Sequence, residues 1–141
     1  MGDGTFGRVL EARNTKTGYI YAIKVIRAVA RYIKRAKKEA KNVQCLNDAD
    51  PDNKVPIVRL HETFAYKRNF FLVYEKLGKN LRDVNKTSGY KGFPMVIVRE
   101  FARQIFQAVS HMHSQKLTHG DLKMKNILLV HDEWYYDLEL E

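Results

Sequence analysis

The sequence predicts an α+β fold: a small antiparallel sheet carrying one helix, followed by the beginning of a helical lobe. Three observations predict it. Two β-rich runs, Val9 to Arg13 and Tyr19 to Ile26, flank the turn-forming Asn14-Thr15-Lys16-Thr17-Gly18. A helical pattern then runs from about Ala30 to Leu46, and two further strands, Ile57 to Phe64 and Phe70 to Glu75, follow it. Finally, Ile97, Phe101, Ile105, Val109 and Met112 repeat at spacings of four, four, four and three, one apolar stripe of a long helix.

Each element has its local reason. Ile33, Ala36, Ala40 and Val43 share one side of the first helix at about 100° per residue, while Lys34, Lys37, Lys38 and Lys41 share another. Asn47-Asp48-Ala49-Asp50-Pro51-Asp52-Asn53 breaks that helix with turn formers. The polar Tyr66-Lys67-Arg68-Asn69 joins the next two strands, and Gly78 closes the section. Pro94 suits the first turn of the long helix. Beyond His113 come a polar loop and a short strand from Ile127 to Val130. Residues 132–141 are acidic and aromatic without a clear period. No internal repeat or low-complexity linker is evident.

Composition narrows the class. The 141 residues are 45% apolar and 29% charged, enough for a real core and unlike a disordered tail. A lone cysteine, Cys45, excludes an internal disulfide framework and fits a reducing compartment. Its place in the helical pattern predicts a buried, inert thiol. No stretch approaches the about eighteen apolar residues of a membrane span. The polar start Met1-Gly2-Asp3-Gly4 is no signal peptide, and Phe6 replaces the hydroxyl residue of a myristoylation signal. A soluble intracellular protein is expected. The net charge of +9 invites phosphates, acidic substrates or nucleic acid. Lys34, Arg35, Lys37, Lys38 and Lys41 concentrate part of it, which reads first as a solvated helix face and second as a nucleic-acid or nuclear-import patch.

Four signals carry chemistry. Gly2-Asp3-Gly4-Thr5-Phe6-Gly7-Arg8-Val9 is a G-x-G-x-x-G-x-V string whose glycines let backbone amides approach phosphates. A dinucleotide-binding fold needs a helix at the last glycine, and here a strand follows. Tyr21-Ala22-Ile23-Lys24 places a lysine on the strand after the hairpin; an exposed strand lysine is the plain alternative. Glu39 borders the inward face of the first helix, where it can meet that lysine or form a surface pair with Arg35. His119-Gly120-Asp121-Leu122-Lys123-Met124-Lys125-Asn126 fits H-x-D-L-K-x-x-N and is the most specific of the four. His111 and His113, two apart on a helix, point in different directions and do not suggest a metal site.

With these residues and with Val25-Ile26-Arg27, Tyr74-Glu75-Lys76-Leu77-Gly78 and Leu117-Thr118, the chain resembles the LAMMER-type (Clk-like) dual-specificity protein kinases from residue 1 to about 130. The resemblance implies a protein-kinase-like fold, with residues 1–77 as N-lobe and hinge and 78–141 as the start of the C-lobe, truncated. It implies ATP and Mg²⁺ as ligands. Gly2, Gly4, Thr5, Phe6, Gly7, Val9 and Ala22 would line the nucleotide, with Lys24 on the phosphates and Glu39 holding Lys24. Glu75 to Leu77 would form the adenine hinge behind a gatekeeper Tyr74, with Asp83 near the ribose. Asp121 would take the substrate proton, Lys123 would balance phosphoryl charge, and Asn126 would hold magnesium.

The departures count as well. Gly120 lacks the Arg that most kinases carry there, as LAMMER kinases with their usual Thr also do, which fits the family but leaves less to anchor a phosphorylated activation loop. Lys125 replaces the Glu of Lys-Pro-Glu-Asn, which reverses a charge beside the substrate and weakens the implied Arg/Ser-rich splicing-factor substrates. The Asp-Phe-Gly motif, activation loop and LAMMER signature do not occur, so the chain reads as a fragment that by itself lacks phosphotransfer. Two functions follow: phosphorylation of Ser/Thr, with Tyr in view, by the kinase of which this is a part, or a pseudokinase-like nucleotide- or partner-binding module. Direct nucleic-acid binding is the weakest reading, because it leaves the ordered motifs unexplained. The family implies the nucleus, with the cytoplasm as a second compartment.

Overall fold

The computed structural model describes residues 3–4 and 7–131. Strands β1 (Asp3–Gly4), β2 (Gly7–Arg13), β3 (Ile20–Ile26), β4 (Leu60–Tyr66) and β5 (Asn69–Glu75) form one antiparallel sheet in the order β1-β2-β3-β5-β4. Helix α1 (Ala30–Asp48) separates β3 from β4 in sequence, and α2 (Leu81–Thr87) and α3 (Met95–Ser114) follow the sheet. The β2–β3 turn is closed by Asn14, whose Oδ1 accepts the amides of Lys16 and Thr17, and Gly18 takes the left-handed backbone that the turn requires (φ 77°).

Period-two alternation decides which side chains face α1. Ile26 pairs with Phe70, Lys24 with Leu72 and Ala22 with Tyr74, so these six share one face of the sheet. On that face Ile26, Phe70, Leu72, Leu60 and the helix residues Ala36 and Ala40 form the core, flanked by Tyr32, Ile33, Val43 and Tyr74. Gly7 is required by a different contact: a Cβ there would lie 2.0 Å from the carbonyl oxygen of Val25 on the neighbouring strand.

The end of α1 is joined to β4 by buried polar groups. Asn47 accepts the Leu60 amide at 2.9 Å and donates to the Val58 carbonyl at 3.1 Å. Asp50 accepts the amides of Lys54 and Val55 and pairs with Arg59 at 2.9 Å. This joint explains why β4 starts at Leu60 and not at Ile57: the Ile57 amide turns back to Val55, and the Val58 carbonyl is taken by Asn47.

Three further expectations change. Cys45 is exposed, not buried, because it sits about 200° around the helix from Val43 and Asn47, which face the sheet. Ile127–Val130 is not a strand; a single bridge pairs Leu128 with Asn80, and pairing stops where α2 begins. Helix α2 itself has no counterpart in the sequence reading. The α3 stripe is half-buried at Ile97, Phe101, Ile105, Val109 and Met112, and no residue of α3 is fully buried. Phe101 packs edge-on against Phe93, beside a second small core of Leu81, Val84 and Leu129.

Leu72 is 0% and Phe106 72% exposed, so the two positions should respond oppositely to truncation. Leu72→Ala is expected to cost about 2–5 kcal/mol in urea unfolding. Phe106→Ala should stay within about 0.5 kcal/mol of the parent.

Candidate functional site

Two clusters of polar side chains lie on different parts of the chain. The first is built on β3, α1 and β5. Lys24 projects from the helix-facing side of β3, and Glu39 comes down from α1 beside the buried Ala36 and Ala40. The Lys24 ammonium donates to both Glu39 oxygens at 2.8 Å. Tyr74, on the same sheet face, donates its hydroxyl to Glu39 Oε1 at 3.0 Å. Burial, together with the neighbouring Glu39 carboxylate, pushes the Tyr74 hydroxyl pKa up, so the phenol stays a neutral donor. Val9 pairs directly with Lys24, and Ala22 lies two residues before it, so both sit on this face too.

Gly4, at the end of β1, pairs with Gly7, at the start of β2. Gly2, Thr5 and Phe6, the remaining candidates of the glycine string, lie outside the described residues. At the far end of β5, the Glu75 amide donates to the Arg59 carbonyl at 3.0 Å, and its side chain accepts the Arg59 amide at 2.7 Å. The Lys76 ammonium reaches the Leu77 carbonyl at 3.0 Å. Asp83 lies exposed in the first turn of α2, where it exchanges hydrogen bonds with the N-cap residue Asn80 (2.9 and 2.7 Å).

The second cluster is the loop after α3. Gly120 adopts the left-handed backbone (φ 75°), which glycine accepts without strain. Asp121 Oδ1 accepts from the Lys123 ammonium at 2.9 Å. Asn126 Nδ2 donates to the Asp121 backbone carbonyl at 2.8 Å and to Oδ2 at 3.1 Å. The Lys123 hydrogen bond, aided by Asn126 and by the charges of Lys123 and His119, holds the Asp121 carboxyl below the usual range. Asp121 is thus ionised at neutral pH and able to accept a proton. Lys125 is exposed in the 3-10 turn Met124–Asn126.

Backbone pairing ties the second cluster to the end of β5. The Gly78 amide donates to the Leu129 carbonyl at 2.7 Å, Leu129 to Lys79 at 2.9 Å, and Leu81 to Ile127 at 2.9 Å. Helix α3 reaches back to the sheet side through Gln107 to the Lys54 carbonyl (3.1 Å) and His111 to the Leu46 carbonyl (3.0 Å). Sequence reasoning missed the Tyr74 hydroxyl contact and the linker pairing. Asn80 followed three residues on by Asp83 is the capping signal that could have revealed α2.

Comparison with known proteins points one way. The family model for the protein kinase domain matches residues 1–136. Serine/threonine-protein kinase AFC1 of Arabidopsis thaliana is 40% identical over 134 residues, covering 95% of this chain and 28% of that protein. Human dual specificity protein kinase CLK2 is 37% identical over 142 residues, covering 100% of this chain and 28% of that protein. A crystallised kinase domain superposes with a TM-score of 0.87 at 36% identity, covering 93% of this chain and 38% of that one. The chain therefore spans less than a third of the length of these two curated relatives.

The Asp121 environment makes a measurable claim. A ¹³C NMR titration of its carboxyl should have a midpoint below the ~3.9 of a free aspartate. Lys123→Met should raise that midpoint. The native contacts of Asp121 contribute above the ordinary carboxylate range and should be lost as pH falls through its lowered value. A midpoint unmoved by Lys123→Met would mean that Lys123 does not hold the carboxylate.

Proposed function

The chain belongs to the protein kinase domain family, and on that footing we propose that it is the nucleotide-binding and catalytic-loop part of a Clk-like kinase that phosphorylates Ser and Thr, and also Tyr, on proteins. Residues 1–77 would be its N-lobe and hinge, and 78–141 the start of its C-lobe. The observation that supports this reading most is the two-oxygen contact of Lys24 with Glu39 at 2.8 Å. A lysine held by such a glutamate is the arrangement that a kinase needs to clamp the phosphates of ATP.

In this reading Gly2, Gly4, Thr5, Phe6, Gly7, Val9 and Ala22 line the nucleotide, Glu75 and Leu77 meet the adenine, and Asp83 lies near the ribose. The substrate hydroxyl oxygen attacks the γ-phosphorus while the bond to the ADP oxygen breaks, and Asp121 receives the hydroxyl proton. Lys123 offsets charge on the moving phosphoryl group. Magnesium, when bound, neutralises phosphate charge, and the residue proposed to hold it here is Asn126. The donor set fits: Nδ2 of Asn126 is spent on Asp121, which leaves its amide oxygen, a hard ligand of the kind magnesium takes.

For substrates, Lys125 favours segments less basic than Arg/Ser-rich ones, since it sets a cation where such a segment would pass. The nucleus is the proposed compartment, by kinship with Clk-like kinases. The exposed lysines of α1 are the local support.

Lys24→Ala is expected to abolish the ATP-induced rise in melting temperature of the chain; an unchanged rise would refute the phosphate site. In the longer polypeptide containing this chain, Asp121→Asn should reduce phosphotransfer by roughly 10²–10⁴-fold. The same variant should bind ATP normally, and full activity would overturn the assigned base.

A further inference from the structure

We infer that Tyr74 is a positioning residue whose hydroxyl fixes Glu39 on Lys24 before any nucleotide arrives. The inference rests on the reading of Lys24 as the phosphate-binding lysine. Three donor contacts converge on one carboxylate: Lys24 on both oxygens at 2.8 Å and Tyr74 on Oε1 at 3.0 Å. The ionic pair alone is a weak anchor. The Lys24 and Glu39 side chains are 31% and 39% exposed, and a pair so open to solvent gains little and is screened by salt.

Tyr74 is half-buried like both partners in the pair, but its ring packs against the cluster of Ile26, Ala36, Ala40, Leu60, Phe70 and Leu72. Only two side-chain torsions connect its hydroxyl to a central strand, whereas Lys24 reaches Glu39 on a flexible four-carbon stem. A neutral donor on a stiff ring loses little to salt and orders little on bonding. It therefore sets where the Glu39 carboxylate sits against Lys24. A phenylalanine would keep the packing and lose this hold.

The test is amine acylation of the nucleotide-free chain, read by mass spectrometry, with the exposed Lys38 as internal reference. The reaction would be run at ~20 mM and ~500 mM salt, on either side of the range where surface charges are screened. Wild-type Lys24 should be protected at both. Tyr74→Phe should label about tenfold faster at high salt, the scale of a lost hydrogen bond to a charged group. Glu39→Gln, which leaves Tyr74 packed, sets the unprotected limit that Tyr74→Phe should approach. Tyr74→Leu should match Tyr74→Phe if the hydroxyl matters. Protection kept in Tyr74→Phe and lost only in Tyr74→Leu would assign the effect to ring packing and overturn the inference. No ATP enters this assay, so a failure of the phosphate-site reading shows separately, as an ATP shift that survives Lys24→Ala.

Discussion

Everything that Lys24 can do depends on how closely α1 lies against the sheet. The helix turns Ala36 and Ala40 toward Ile26, Leu60, Phe70 and Leu72, and these small side chains let the helix approach its strands. A larger residue at either position would lift the helix and draw Glu39 away from the strand lysine. The same sheet face carries Val9, Ala22, Lys24 and Tyr74 by simple alternation along paired strands. One packing decision thus brings a cation, a carboxylate and a phenol together.

Polar joints, more than apolar burial, connect the remaining parts. Asn47, Asp50 and Arg59 lock the end of α1 to the start of β4 with hydrogen bonds that leave no buried polar side-chain atom unpaired among the described residues. Backbone bonds from Gly78, Lys79 and Leu81 to residues 127–129 tether the Asp121 loop to the end of β5. Helix α3 adds two polar contacts through Gln107 and His111 and keeps its apolar stripe only half covered. Such connections specify orientation strongly and contribute modest net stability each.

Much of the fold was legible because its signals are local. The Asn14–Gly18 turn, the two-sided pattern of α1 and the strand after Gly7 all follow from residues close in sequence. The errors have physical causes of the same kind. The helical setting of Cys45 suggests a buried thiol, but its angle around the axis points it outward. Ile127–Val130 looks like a strand because it is apolar, yet its partner, residues 78–81, turns into a helix after a single bridge. Helix α2 is seven residues long, too short for a periodic pattern to reveal.

By itself, the sequence determined the inventory: which residues could carry phosphate chemistry, their order, and the strand, helix or loop on which most of them sit. It did so because glycine strings, alternation and helical periodicity are properties of neighbours along the chain. Only the tertiary structure decided between partners. Glu39 could have met Arg35 one turn away; the approach of α1 to β3 put it on Lys24. Tyr74, thirty-five positions from Glu39, carried no local mark of the hydroxyl contact it makes. Contacts between residues far apart in sequence depend on how two elements pack, and that packing is settled by the whole core rather than by any one segment.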